Sequence, residues 1–191
     1  HDLARRQRQM CIRDSAFTSS DWTAYPFATQ NEKDFNNLLS VYLDSSFFPN
    51  LDQLDFLQEG HRLEFKENKI DNDLEIQGVV FNEMKGAMSS ISSQLWHGMS
   101  KHLYSSSTYK HNSGGDPEAI IDLTHDYLVN FHKKHYHPSN ATFFTFGDID
   151  PKEVQDFINK NVLNEFTPSS EKIFVENEER ITSPKTVKEY Y

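Results

Sequence analysis

Residues 78–86 read GVVFNEMKG, and most of what the sequence implies depends on this stretch. It puts one acidic residue, Glu83, inside an apolar pattern with helical spacing. At about 100° per residue, the residues within roughly 60° of Val80 on a helical wheel are Met84, Ala87, Ile91 and Leu95. Glu83 falls at the edge of this apolar face, where an unpaired carboxylate is strongly destabilising. The pattern leaves two interpretations open, a core-edge glutamate paired with Arg or Lys and a metal ligand.

Five other segments of the chain bear on the interpretation of this stretch. They are AFTSSDWTAYPFATQNEKDFNNLLSVYLDSSFFP at 16–49, QEGHRLEF at 58–65, SGGDP at 113–117, FHKKHYHPSNA at 131–141 and FTFGD at 144–148. Together with GVVFNEMKG they resemble the presequence proteases, a family of pitrilysin-type zinc peptidases called inverzincins after their His-x-x-Glu-His motif. The resemblance covers roughly residues 16–166.

The resemblance implies both a fold and a metal. The fold class is α+β, a pitrilysin-type metalloprotease domain with a mostly antiparallel sheet packed against helices and incomplete at its N-terminus. One Zn²⁺ would be held by two histidines and by Glu83 as the third ligand. No His-x-x-Glu-His occurs in the chain, and the nearest imitation, HRLEF at 61–65, lacks the second histidine. We therefore expect Glu83 as a metal ligand and no catalytic residue.

The resemblance also implies how substrates bind. Ala16, Phe17 and Thr18 correspond to the edge strand that takes an extended peptide by adding it to the sheet through main-chain hydrogen bonds. The expected partners are short unfolded peptides, including cationic targeting peptides. The formal net charge of −10 would concentrate cationic peptides, although it is equally typical of a surface that only keeps a protein soluble.

Composition excludes two classes of partner. No stripe of Lys and Arg is present to neutralise the phosphates of a nucleic acid. No apolar run approaches the roughly 20 residues that a membrane-spanning helix needs. The one cysteine, Cys11, leaves neither a disulfide framework nor a cysteine zinc site.

The sequence predicts three regions. Residues 1–15 have no counterpart in the family; MCIRD at 10–14 resembles a translated sequencing adapter, so we expect a non-native leader, with a basic mitochondrial targeting peptide as the alternative. Residues 16–166 form part of a first peptidase domain. Residues 167–191 form a linker and the truncated start of a second domain.

Local patterns predict the secondary structure. Helices are expected at 33–48, 52–58, 74–104 with a break near 89–93, 124–135 and 151–166. A strand or hairpin is expected at 16–27, and strands at 61–66 and 141–146. His132, His135 and His137 are close in sequence, but no carboxylate is spaced to complete a metal site with them, and the family carries this segment as a structural turn.

The functional expectation follows from the resemblance. The parent protein would be a monomeric zinc endopeptidase that degrades presequences and other short peptides in the mitochondrial matrix, with plastid, cytosol or a bacterium as alternatives. The chain as given would be inactive, because the His-x-x-Glu-His motif is missing. Two alternatives remain open, a non-catalytic scaffold or peptide-binding subunit with the same fold and a stand-alone peptide-binding module.

Overall fold

The computed structural model describes residues 16–188, so the predicted leader at 1–15 and the last three residues lie outside the description. Its α-helices are α1 Glu32–Phe47, α2 Gln53–Glu59, α3 Val79–Ala87, α4 Ile91–Leu103, α5 Pro117–Ile120, α6 His125–His135 and α7 Pro151–Asn161. Its strands are β1 Phe17–Thr18, β2 Thr23–Ala24, β3 Arg62–Phe65 and β4 Leu74–Gln77. No helix in this range combines the length and the apolar character that crossing a membrane requires.

The chain divides into two compact units. The first contains residues 16–17, 23–50 and 126–173. Its core is formed by one side of α1 and the α7 region, with buried residues Leu39, Leu43, Val154, Ile158 and Val162. Both helices begin at caps that the sequence supplies: Asn31 accepts a hydrogen bond from the Asp34 amide, and Asp150 accepts one from the Lys152 amide.

The second unit contains residues 18–22, 51–125 and 174–188. Strands β3 and β4 pair antiparallel with Leu63 opposite Ile76. Gly78 then starts α3 at a point where a Cβ atom would collide with the backbone carbonyl of Gly60. This close approach fixes α3 against the start of β3, and its buried side chains Phe81 and Met84 pack with Ile120.

The SGGDP segment closes over this second core. Gly114 packs directly on the Met84 side chain, with no room for a Cβ atom between them. Gly115 has φ of 98°, a left-handed conformation that favours glycine. Asp116 then caps α5 by accepting a hydrogen bond from the Glu118 amide, with Pro117 at the first helical position. The role observed for this motif is therefore structural.

The α+β class is confirmed, as are the predicted helices around α1, α2, α6 and α7 and the strand at β3. The helix break is also confirmed, at 88–90. The expected helix at 74–77 is wrong, because these residues pair with β3 as a strand. The strand expected at 141–146 is wrong as well: the described chain offers no strand beside it, and a strand requires a partner for its backbone groups.

The extent of the sheet also differs from the expectation of a mostly antiparallel sheet packed against helices. Within residues 16–188 the strands form two separate two-stranded sheets, β1 with β2 and β3 with β4. The longest strands have four residues. Helices therefore contribute most of the regular structure in this range.

Candidate functional site

Glu83 lies on the second turn of α3 with an exposed side chain. Within residues 16–188 no basic side chain forms an ion pair with it. Lys85, two residues further on, instead lies with its Nζ 5.9 Å from the centre of the Phe81 ring. The interpretation of Glu83 as a glutamate paired with Arg or Lys thus finds no partner in this range. Its interpretation as a metal ligand stays a prediction.

The surface around Glu83 differs from the apolar face that the spacing indicated. Of that face only Met84 is buried; Val80, Ala87, Ile91 and Leu95 are exposed. The core takes Phe81 with Met84 instead, because the close approach at Gly78 orients this side of the helix toward Ile120. Val80 and Ala87 lie within roughly 60° of Glu83 on the helical wheel. The carboxylate therefore stands on an exposed face between apolar neighbours.

The described residues do not make a zinc site by themselves. A protein zinc site uses about three or four side-chain ligands. No group of three or more His, Cys, Asp or Glu side chains in the range 16–188 is arranged to hold a metal ion. Glu83 could contribute to such a site only together with ligands from outside this range.

The predicted substrate strand forms one arm of a hairpin. Ala16 precedes β1, and Phe17 and Thr18 make up the strand; all three are exposed. The Ser19 amide donates a hydrogen bond to the Trp22 carbonyl at 2.8 Å and closes the turn to β2. Within residues 16–188 β1 is paired only with β2, and its role in binding a substrate peptide stays a prediction.

The histidines near α6 each have a separate structural contact. His132 Nε2 lies 2.8 Å from the carbonyl oxygen of Ser46, and His137 Nδ1 accepts a hydrogen bond from the Ser139 amide. The His135 ring stacks on Phe131 at a centroid distance of 4.3 Å. Burial, and then the nearby Lys134 charge, lower the pKa of His135 below its usual value. These contacts fit the structural turn that the sequence predicted.

His61, the first residue of the imitation motif HRLEF, also has a structural role. Its Nε2 lies 2.9 Å from the carbonyl oxygen of Leu123, and its ring meets the Phe56 ring edge-on at 5.5 Å. It precedes β3 rather than standing on a helix, so its segment lacks the geometry of a zinc-binding helix.

The sequence did not predict the polar cluster formed by Glu178 and Ser105–Ser107. The Glu178 carboxylate accepts hydrogen bonds from the amides of Ser105, Ser106 and Ser107 and from the hydroxyls of Ser105 and Ser106. The Ser105 hydroxyl and then the Ser107 amide lower the pKa of Glu178 to about 2. This interaction is therefore complete above the ordinary glutamate pKa of 4.5 and is lost as the pH falls toward 2.

The three adjacent serines were the signal available in the sequence. Their partner could not be chosen from sequence, because Glu171, Glu176, Glu178 and Glu179 all occur in the same acidic segment. Nothing in the spacing of these glutamates distinguishes the one that reaches the serine amides.

Comparisons with known proteins agree with the sequence resemblance. A family model described as "Peptidase M16 inactive domain" matches residues 122–190. The mitochondrial presequence protease of Xenopus tropicalis is 48% identical over 173 residues, which are 90% of this chain and 17% of the relative. That of Danio rerio is 51% identical over 154 residues, 80% of this chain and 15% of the relative.

A bacterial protein matches at a similar level. The protein HypA of Clostridium perfringens is 46% identical over 154 residues, which cover 80% of this chain and 16% of the relative. The chain thus spans about one sixth of the length of these curated relatives. Identity at this level over most of the chain identifies it as a member of the presequence-protease family, within the M16 peptidases.

Proposed function

We propose that this chain is part of a zinc-dependent endopeptidase that degrades targeting peptides and other short unstructured peptides in the mitochondrial matrix. The names of the relatives support the peptidase activity, the presequence substrates and the mitochondrial location. The bacterial relative keeps open the alternative of a bacterial or other non-mitochondrial enzyme. The observation that carries the proposal is Glu83, an exposed carboxylate without a basic partner in the described range, inside the family's GVVFNEMKG segment.

In this proposal Glu83 is one of three protein ligands of a single zinc ion. The other two ligands and the general base belong to the His-x-x-Glu-His motif of the parent protein. The exposed apolar surface of Val80 and Ala87 beside Glu83 is where the element that carries this motif would pack. Zinc would supply polarisation of the scissile carbonyl and of a bound water. One carboxylate cannot hold zinc against water, so the chain alone is inactive.

The hairpin supplies the second part of the proposal. Phe17 is 55% exposed on β1, the strand that the resemblance assigns to peptide binding. A peptide added beside this strand would be held mainly by main-chain hydrogen bonds, which do not depend on side chains and would therefore allow many sequences. The partners are short peptides, including cationic ones, and the parent acts as a monomer. Residues 16–166 belong to its first peptidase domain, and 167–191 lead into the second.

The test uses the complete parent protein. E83Q keeps the size of the side chain but removes its charge, and we expect the bound zinc to fall well below one per protein and cleavage of a cationic presequence peptide to be lost. The matched control is E118Q, which changes another exposed helical glutamate. A variant E83Q that retains stoichiometric zinc and full cleavage would refute the assignment.

One observation favours a second candidate, a non-catalytic scaffold or peptide-binding subunit. The family model that matches residues 122–190 describes an inactive domain. The sequence encoded upstream of Ala16 in the source transcript separates the two candidates. An intact His-x-x-Glu-His there supports the peptidase, and a degraded motif supports the non-catalytic relative.

A further inference from the structure

Ser105–Ser107 and Glu178 form a hydrogen-bonded cluster just after the end of α4. Oε1 of Glu178 lies 2.9 Å from the Ser105 amide and 2.7 Å from its hydroxyl oxygen. Oε2 lies 3.1 Å from the Ser106 amide, 3.1 Å from the Ser106 hydroxyl oxygen and 2.9 Å from the Ser107 amide. The Ser106 amide also reaches Oε1, at 3.3 Å. Both carboxylate oxygens thus accept hydrogen bonds, and the Ser106 amide is shared between them.

The donors converge because neighbouring contacts fix the loop that carries them. Ser107 is buried, and its hydroxyl oxygen accepts a hydrogen bond from the Tyr109 amide. Thr108 donates its hydroxyl to the Ser20 carbonyl, and the Tyr109 hydroxyl donates to the Asp21 carboxylate. These bonds do not involve Glu178. The loop is therefore held in its donor geometry by the rest of the second unit.

The chemistry of the cluster selects an anion with two coplanar oxygens. Successive backbone amides that point to one side form a concave anion site, and here two hydroxyls extend it. The nearby Lys110 ammonium approaches the Ser105 carbonyl at 3.4 Å rather than the carboxylate. The site thus binds its anion through neutral amide and hydroxyl groups that donate hydrogen bonds in fixed directions. Such donors suit the two oxygens of a carboxylate better than a surface whose negative charge is spread out.

The segment that supplies Glu178 has little else to hold it. Residues 174–188 form no helix or strand. Phe174 and Ile181 on either side of Glu178 are exposed, so apolar packing contributes little to the position of this segment. Within the described residues, the hydrogen bonds of its carboxylate attach Glu178 to the loop at 105–107.

We propose that Ser105–Ser107 is a carboxylate-binding site that Glu178 fills as an internal occupant, and that a carboxylate of a bound peptide takes its place. The peptide part rests on the proposed function, whereas the site itself does not. A C-terminal carboxylate and an acidic side chain both offer the required group. The loop also contacts Ser20 and Asp21, in the turn at 19–22 of the same unit, through Thr108 and Tyr109.

The test measures the serine amides directly. The complete chain is labelled with ¹⁵N-serine, and the amide signals of Ser105–Ser107 are followed while N-acetyl-alanine, its amide or the side-chain carboxylate of N-acetyl-glutamate amide is added. In E178A the two carboxylates should shift these signals saturably. Half-saturation should need at least about tenfold less probe than in the unchanged chain, because the internal competitor is gone.

The control is E179A, which removes the adjacent exposed glutamate and should behave as the unchanged chain. If E178A does not fold, E178Q provides the same comparison, since its amide is a weaker competitor. The relative affinities of the two carboxylates identify the source of the group. The proposal is overturned if neither carboxylate shifts the three amides saturably, or if the uncharged amide shifts them equally. A carboxylate that binds here while an added presequence peptide leaves the labelled amides of Ser19 and Ser20, directly after β1, unchanged supports the site and counts against the proposed function.

Discussion

At residue scale, position 78 has no room for a methyl group. The Cβ of an alanine there would collide with the Gly60 carbonyl and would lie 2.9 Å from the Cα of His61. We expect G78A to lower the free energy of unfolding by about 1–3 kcal/mol, because the backbone must shift to relieve the overlap. Urea unfolding followed by circular dichroism measures the difference.

Gly86 provides the matched control on the same helix. A Cβ atom there meets nothing within 4 Å, and alanine favours a helix over glycine by roughly 0.5–1 kcal/mol. G86A should therefore leave stability unchanged or raise it slightly. If both substitutions lower stability equally, the close approach at Gly78 is not what limits the residue at that position.

Glu83 and Glu178 show which parts of the site could be predicted from the sequence and which could not. Glu83 stood out because its segment resembles a known family, and the helix it was expected on is present. The spacing argument for the buried face was weaker, since the break at 88–90 changes the phase between α3 and α4. Glu178 could not be predicted, because its partners are remote in sequence and no local pattern points to them.

At the scale of elements, α1 depends on one buried side for its place in the first core. Leu43 is 7% exposed, whereas Val41 on the same helix is 61% exposed. We expect L43A to lower the free energy of unfolding by about 2–5 kcal/mol, because it leaves a cavity beside Ile158 and its neighbours. V41A should change it by less than about 0.5 kcal/mol.

The same unfolding measurement serves both variants. Similar losses for L43A and V41A would mean that α1 does not pack on α7 through the side that contains Leu43. A loss confined to L43A supports the first core as described.

Elements with their own start and stop signals were predictable. Asn31 is the N-cap of α1 and Asp150 is the N-cap of α7, and both helices begin within a residue of the expected position. Residues 74–77 were misassigned because they were joined to the helix that follows them. Leu74 and Ile76 alternate with Glu75 and Gln77 in the two-residue period of a strand, and pairing with β3 makes them one. Residues 141–146 show the reverse: their composition favours a strand, but composition cannot supply the neighbour that a strand needs.

At the scale of the whole molecule, this chain exposes many large apolar side chains. The segment ATFFTF at 141–146 carries Phe144 at 86% and Phe146 at 92% exposure. It is uncharged and rich in residues that favour strands, a combination that promotes association between chains. We therefore expect the isolated chain to self-associate as its concentration rises, which sedimentation velocity detects.

The double variant F144S/F146S should shift this association to higher concentration. L54S is the control, because Leu54 is also highly exposed, at 78%, but its direct neighbours in sequence, Gln53 and Asp55, are polar. Equal effects of the two variants, or no association of the unchanged chain, would contradict the expectation.

The division into two units has a consequence for synthesis on the ribosome. The second core, with Phe81, Met84 and Ile120, is built from one continuous part of the chain between 51 and 125. The first core joins α1 to α7, which is made much later. Contacts between distant residues form slowly, and chains fold from the N-terminus as they emerge. The second core is therefore completed before the first, although the first core begins earlier in the sequence. Until α7 has been synthesised, Leu39 and Leu43 lack the residues that bury them and remain accessible to chaperones.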